Sequence, residues 1–385
     1  MIFYIMRCKA KGHGFLPWLA AGCALCLLAG CGGPTLEELQ AIDYRPVSDN
    51  VFEVSTPERE NMDPMRIARL YYDASKLKNA YSVLVLKNGK LIGEKYFNEG
   101  AVDQQLNIHS VTKSFTSALV GIALERGELK SLDQKMMEFF PEFADRIRDP
   151  RKNEITIRQL LQMRAGYPWE ESTEQLLNLL LTGFHTDTLV EVPLVRDPGT
   201  DFDYSNLSSH ILGLILARAS GTDLKSYAQE HLFEPLGVEP GFWQQDWDGN
   251  ILGFSDLHLT ARDLAAFGLL YMNEGRYNGR QIVPAEWVQD SLQIYSRNAW
   301  KIRVGKNWGD PCYGYQWWSV QAGNHRYHMA WGHGGEQIIL LKDLDMIIVV
   351  TADPLHLQHG GGPWRKEKAS LNLVADFVAS LPESE

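Results

Sequence analysis

Apolar positions along the chain change period twice, dividing it into strand-bearing ends and a helical middle. Tyr81 to Leu86 and Leu91 to Phe97 are β-rich runs flanking Asn88-Gly89, a pair suited to a tight antiparallel hairpin. Upstream, Asp63-Pro64 supplies an N-cap and a first-turn proline, which predicts a helix through about Lys76. From Ser110 the period becomes helical: Val111, Phe115, Ala118, Leu119, Ile122 and Ala123 fall at helical spacing, and Gly127 supplies a stop. Val120 and Leu124 add apolar groups to other faces, so this helix is expected to be buried nearly all round. Helical stretches follow at Ile157 to Arg164, Glu174 to Leu181, Ser208 to Ala219 and Ala261 to Met272. Strand-like runs return at Tyr315 to Val320, Arg326 to Trp331, Gln337 to Leu341 and Met346 to Thr351, the last two joined by a Lys342-Asp343-Leu344-Asp345 turn. An amphipathic helix at about Glu367 to Leu381 closes the pattern.

Strands at both ends with helices between them predict an α+β fold. One antiparallel sheet would be built from both chain ends, with a helical subdomain at about 110–272 and a cleft between the two. At 385 residues, with 45% hydrophobic and 22% charged residues, the chain can bury a large core in one domain or two intimate subdomains. The formal net charge is -11, and the first 30 residues hold Arg7, Lys9 and Lys11 but no acid, so the remainder is more acidic still. Such a surface argues against nucleic acid or an anionic membrane as the main partner.

The N-terminus reads as an address rather than as fold. A basic start, an apolar run from Phe15 to Leu28 and the sequence Leu28-Ala29-Gly30-Cys31 resemble a bacterial lipoprotein signal with its lipobox, residues 1–30 being the signal peptide. The run is shorter than the roughly 18 to 20 apolar residues that a membrane span needs. The resemblance implies cleavage before Cys31, lipidation of its thiol and a lipid-anchored position on the periplasmic side of the envelope. Gly32, and not Asp, follows the cysteine, which points to the outer membrane. Membrane contact would then be through the lipid anchor only. Residues 31–60 mix Gly, Pro, Ser and charges without apolar period and read as a tether, leaving 61–385 as the folded domain. Of the five cysteines, Cys8, Cys23 and Cys26 would leave with such a signal and Cys31 would be lipidated. Cys312 then stands alone, without a disulfide partner, and packing is its expected role.

Three short motifs follow in order: Ser110-Val111-Thr112-Lys113, Tyr204-Ser205-Asn206 and His333-Gly334-Gly335. A serine hydroxyl is a poor nucleophile at its own pKa and needs a neighbouring base, and its tetrahedral intermediate needs preorganised N–H donors. Serine and lysine three apart on a helix share a face, which brings amine to hydroxyl, and a helix N-terminus favours developing negative charge. Ser75-Lys76-Leu77-Lys78 has the same spacing but lies at the polar end of a surface helix and reads as a decoy. Tyr271-Met272-Asn273 mimics the second motif, yet its tyrosine ends an apolar-periodic helix and reads as core. Tyr204 instead follows the turn-forming Pro198-Gly199-Thr200 and precedes a helix, on a loop able to project into a cleft. Ser205 or Asn206 also suits the cap of that helix. Paired glycines between two strands fit close approach of a substrate backbone, or a simple bulge.

In this order the motifs resemble those of serine β-lactamases and D,D-peptidases, and the tyrosine-led second motif resembles the class C branch with its esterases, amidases and nylon-oligomer hydrolases. The resemblance runs from about Tyr81 to Ala352, and includes Gln159-Leu160-Leu161 with Gly166, Leu232-Phe233-Glu234-Pro235-Leu236-Gly237 and Tyr313-Gly314-Tyr315 with Trp317-Trp318. It implies a β-lactamase/transpeptidase-like fold without a cofactor. It further implies Ser110 as the nucleophile, Lys113 and Tyr204 sharing proton transfer, Asn206 orienting lysine and substrate, and an oxyanion hole from the backbone N–H groups of Ser110 and Glu336. Lysine usually stands where this chain has His333, and histidine, with an ordinary pKa of about 6.5, is mostly neutral at neutral pH. The expectation is therefore a serine hydrolase acting on a small ester or amide through an acyl-enzyme at Ser110, rather than an efficient β-lactamase.

The alternatives are a D,D-carboxypeptidase or weak β-lactamase, and a noncatalytic envelope lipoprotein that binds peptidoglycan or a partner. His325, His328, His333, His356 and His359 cluster in sequence without a metal-ligand spacing, so no metal is expected. Tyr167, Trp169, Trp317 and Trp318 are candidates to line an apolar acyl pocket, Trp169 first among them. The stretch Glu170 to Val195 is expected to form a wall or lid.

Overall fold

The computed structural model describes residues 33–48, 51–353 and 363–383. The lipobox with Cys31, together with His356 and His359, lies outside the described residues.

Asn88 and Gly89 both take positive φ, 51° and 76°, the geometry of a two-residue hairpin, and fold β1 (Ala80–Lys87) onto β2 (Lys90–Tyr96). The far end of the chain adds β3 (Gly309–Tyr313), β4 (Trp318–Ala322), β5 (His325–Trp331), β6 (Gln337–Leu341) and β7 (Met346–Ala352). The resulting sheet is antiparallel, in the order β2-β1-β7-β6-β5-β4-β3. The two chain ends meet in the β1–β7 pairing, with Val83 opposite Val350 and Leu84 opposite Val349. This is the sheet built from both termini that the pattern predicts.

The helices that position the site are α1 (Pro64–Ala74), α2 (Thr112–Glu125), α3 (Ile157–Leu161), α4 (Glu174–Thr182), α5 (Asn206–Ser220), α6 (Ala261–Met272), α7 (Ala285–Ser291) and α8 (Pro363–Ala379). Successive strand residues point to opposite faces, and both faces of the sheet are covered. Leu84, Leu86, Ile347 and Val349 join the core shared with α2, α5 and α6, whereas Val83, Val85, Ile348 and Val350 pack with residues of α1 and α8.

Residues Thr112 to Ala123 of α2 are all buried, as apolar groups on every face require. Phe115 stacks on Phe267 of α6, with ring centroids 3.8 Å apart. The hydroxyls that burial would otherwise strand are paired: Ser114 and Ser117 donate to the carbonyls of Gln316 and Tyr315, and Thr116 to that of Gly253, each at 2.8 Å. These bonds fix α2 between the β3–β4 turn and the segment ahead of α6.

The fold departs from the pattern at β4, at β3 and in the segment before α1, and α3 ends at Leu161 short of the expected Arg164. β4 begins at Trp318 and not at Tyr315, because Gln316 takes a φ of 63° and turns the chain. The strand before it, β3, lies at the sheet edge and contains Pro311, which removes a ladder donor and hides such a strand from a pattern reading. The segment read as a tether docks from Tyr44 onward. Tyr44 stacks on Tyr71 at 5.4 Å, Phe52 enters the core, and Glu53 and Ser55 bond to the backbone of Leu91 in β2. Among the described residues no helix is long and apolar enough to cross a membrane.

Gly121 of α2 faces the Trp287 indole of α7, where an added Cβ would lie 2.2 Å from Cγ. Alanine raises helix propensity over glycine by about 1 kcal/mol. Gly121→Ala is nevertheless expected to lower the unfolding free energy by about 1 to 3 kcal/mol through overpacking. Urea unfolding followed by tryptophan fluorescence measures the difference, and an unchanged or raised midpoint would contradict the packing described.

Candidate active site

The segment ahead of α2 is pinned before the helix starts. Leu106 and Asn107 pair with Leu259 and His258, and the Ile108 N–H donates to Leu257 O at 2.9 Å. His109 then takes a φ of 46°, a left-handed conformation, with its N–H donating to Asn107 Oδ1 at 2.8 Å. Ser110 lies in a 3-10 turn, His109–Val111, that runs into α2 at Thr112, so it stands just ahead of the helix rather than as its opening residue. Its side chain is half-buried.

Lys113 is 1% exposed. Its Nζ lies 2.8 Å from Ser110 Oγ, 2.8 Å from Asn206 Oδ1 and 3.0 Å from Phe254 O. The rings of Tyr204 and Phe254 flank it, with centroids 5.0 and 5.4 Å from the nitrogen. Burial pushes its pKa down to about 7, partly countered by the carboxylates of Glu170 and Asp256. Two of its partners, an amide oxygen and a backbone carbonyl, can only accept. In the neutral amine both N–H bonds are therefore committed to Asn206 and Phe254, and the lone pair is left for the Ser110 hydroxyl.

The second motif arrives on the loop ahead of α5. Ser205 is the N-cap of that helix, its Oγ accepting from the Ser208 N–H at 3.2 Å. Capping therefore holds, and it coexists with placement at the site. Tyr204, its ring centroid 5.0 Å from the Lys113 nitrogen that reaches Ser110, stacks on Trp318 at 5.6 Å and meets Tyr313 edge-on at 6.3 Å. Burial raises its pKa above the ordinary phenol value, so it keeps its proton at neutral pH. Neither decoy comes near: Tyr271 is buried against Trp317, with centroids 4.7 Å apart, and Lys78 is exposed beyond the end of α1.

Beyond β5 the third motif turns through Gly334 and Gly335, with φ of 108° and 107°. At Gly335 packing from behind also requires glycine, since a Cβ there would lie 2.4 Å from Ser370 Cβ of α8. The Asn79 side chain donates to Gly334 O at 2.9 Å. The buried Glu367 of α8 accepts from Trp331 Nε1 at 2.9 Å and from the Gly334 N–H at 3.3 Å, and pairs with His333 Nδ1 at 2.9 Å. That hydrogen bond raises the His333 pKa above its ordinary value, against the opposing effect of burial. The buried carboxylate partner thus shifts His333 toward the cation relative to an isolated imidazole. His333 meets His109 edge-on at 5.9 Å, which brings the third motif beside Ser110. His109 itself is pushed down to about 4 by burial and stays neutral. The Glu336 side chain is fully buried, its carboxyl pushed well above the usual range by burial, while its carbonyl accepts from the Gly332 N–H at 2.9 Å.

The aromatic candidates separate. Trp169 is half-buried and edge-on to Trp300 at 5.8 Å, and Trp300 in turn meets Trp318, Trp331 and Trp364. Trp318 backs Tyr204. Tyr167 and Trp317 are fully buried and line no cleft: Tyr167 donates to Leu189 O at 2.6 Å, and Trp317 packs on Phe267 and Tyr271. Cys312 is buried and burial raises its thiol pKa, in keeping with packing. Among the described residues no group of three or more His, Cys, Asp or Glu side chains is placed to hold a metal ion.

The beta-lactamase family model matches residues 78–353, most of the chain. The chain belongs to the beta-lactamase family. Beta-lactamase-like protein 2 of Dictyostelium discoideum is 24% identical over 208 residues, covering 51% of this chain and 34% of that protein. The 6-aminohexanoate-dimer hydrolase of Paenarthrobacter ureafaciens is 26% identical over 290 residues, 69% of this chain and 70% of that protein. The octameric penicillin-binding protein homologue of Pyrococcus abyssi shares the fold, with a TM-score of 0.61 at 20% identity over 81% of this chain and 77% of that one. The chain spans 34% to 61% of the length of three of the curated relatives it matches.

Family motifs led to Ser110, Lys113, Tyr204, Asn206 and His333, but not to the groups that hold them. The expected wall from Glu170 to Val195 is anchored from beneath by the buried Lys152, whose Nζ donates to the carbonyls of Leu189, Val190 and Val192. Glu170, at its start, turns inward to Ser205, Asn206 and Leu207 instead. Burial pushes the Glu170 carboxyl up, and the N–H groups of Leu207 and Asn206 pull it back. Glu367 had a readable signal: with Ser370, Leu371 and Val374 it occupies one buried helical face, an acid on an apolar stripe. His109 and Glu170 had none beyond their neighbours.

Glu367→Gln removes the carboxylate that favours the His333 cation. The His333 titration midpoint, followed by the chemical shift of its Cε1 proton, is expected above about 6.5 in the native protein and lower in the variant. Equal midpoints would show that the pairing does not set the charge of the third motif.

Proposed function

We propose that the protein is a serine hydrolase that cleaves a small ester or amide through an acyl-enzyme at Ser110. The observation that carries this reading is the buried Lys113 nitrogen, 2.8 Å from Ser110 Oγ, whose remaining partners are acceptors only. Family membership and the hydrolase among its relatives support the reaction class.

In this reading the Ser110 proton passes to Lys113 Nζ as the oxygen attacks the substrate carbonyl carbon. The backbone N–H groups of Ser110 and Glu336 receive the oxyanion. Tyr204, a neutral phenol whose ring flanks Lys113, hands a proton to the departing alkoxide or amine and is replenished from Lys113. Water then attacks the acyl-enzyme by the same proton route in reverse, releasing the acid and restoring the Ser110 hydroxyl. Within this class, the His333–Glu367 pair favours substrates that carry a carboxylate, as D,D-carboxypeptidase substrates do, since an imidazolium beside the nucleophile offers them a cation.

Ser110→Ala is expected to abolish p-nitrophenyl ester turnover, by at least about 10³-fold, together with fluorophosphonate labelling. Undiminished turnover or labelling in that variant removes the assignment. Because the base must be unprotonated, kcat/KM is expected to rise with pH through about 7 and level above it. A profile flat between about pH 5 and pH 9 would rule out Lys113 as that base.

A further inference from the structure

Glu170 is 2% exposed and lies where the loop after Trp169 enters a short 3-10 turn, Glu170–Ser172. Its Oε1 accepts from the Leu207 N–H at 2.8 Å and from Ser205 Oγ at 3.0 Å. Its Oε2 accepts from the Asn206 N–H at 2.9 Å and from Asn206 Nδ2 at 3.3 Å. Every group that faces it is a donor, so the carboxylate fits the site, at the N-terminus of α5 where the helix dipole also favours negative charge. We propose that Glu170 is a positioning residue: it fixes which way the Asn206 amide faces and, through that amide, where the Lys113 lone pair points.

A primary amide presents a donor on one side and an acceptor on the other. Asn206 stands between Glu170, which only accepts, and Lys113, whose nitrogen must donate to it if the lone pair is to be left for Ser110. Turning the amide over would set Oδ1 against the carboxylate and the NH₂ group against the lysine N–H. Both hydrogen bonds would become like-facing contacts, and the Lys113 lone pair would be drawn toward Asn206 and away from the Ser110 hydroxyl. One buried carboxylate thus decides the amide orientation, the amide decides the amine, and the amine addresses the nucleophile. Glu170 need not touch substrate.

This inference rests on the hydrolase reading, and a double-mutant cycle separates it from a purely structural cap on α5. Glu170→Ala, Asn206→Ala and the double variant would be assayed with p-nitrophenyl butyrate, with thermal melts to establish folding. Glu170→Ala is expected to lower kcat by about 10- to 100-fold with KM changed by less than about threefold. In the Asn206→Ala background the same substitution is expected to cost less than about threefold, since the group it acts through is gone. A kcat within about threefold of the native protein, or a full effect retained without Asn206, overturns the proposal. Should Glu170→Ala fail to fold, Glu170→Gln fills the same volume while replacing one acceptor by a donor. It is expected to lower kcat by at least about threefold only where Asn206 is present, and equal losses in both backgrounds, or none, overturn the proposal. Turnover that survives Ser110→Ala instead defeats the hydrolase reading, whereas turnover lost in Ser110→Ala and normal in Glu170→Ala defeats only the role given to Glu170.

Discussion

Withdrawal of the Lys113 nitrogen from water is the constraint on which the rest of the site depends. An ammonium taken into a protein interior loses several kcal/mol of hydration, whereas a neutral amine with its N–H bonds paired loses far less. The fold provides that interior by wrapping α2 on all sides: Phe115 stacks on Phe267 of α6, and the helix hydroxyls are bonded to the loops that cover them. A lysine one turn from the surface would keep its proton and block its own lone pair. Burial of the helix and the availability of its lysine lone pair near neutral pH are one property.

Groups brought from distant parts of the chain are held around that nitrogen by buried acceptors that lie outside the three motifs. Glu170 gathers the first turn of α5, and Glu367 gathers Trp331, His333 and Gly334. In each case a carboxylate, which can only accept, is set among donors, so the geometry of the loop follows from the chemistry of the acid. The first motif is held differently, by the pairing of Leu106 and Asn107 and by the left-handed turn at His109. The sheet makes these arrangements mutually rigid, because β1 and β7 join the beginning and the end of the domain in one ladder.

What was legible in the sequence was what obeys a local rule. Asn88-Gly89 announces its hairpin, the all-round apolar pattern of α2 announces a buried helix, and Ser110 with Lys113 follows from helical spacing. Tyr204 and Asn206 were reached through motif order and loop context. The edge strand β3 was hidden by Pro311, and the docking of residues from Tyr44 onward depends on partners in α1 and β2 that no local pattern names. Tyr167 and Trp317 were misplaced because an aromatic near a motif looks the same whether it faces a cleft or the core. The upward shift of the His333 pKa was hidden for a related reason: an imidazole pKa is set by its tertiary partner, and Glu367 lies on another element of the fold.

The most direct measurement is the titration of Lys113 itself, by NMR of ¹³Cε-labelled lysine with the resonance assigned from a Lys113→Arg variant. Burial among acceptors predicts a midpoint of about 7 for this one lysine. A midpoint at the ordinary value of 10.5 would mean that the nitrogen remains an ammonium throughout the working range, and a base at Ser110 would have to be sought elsewhere.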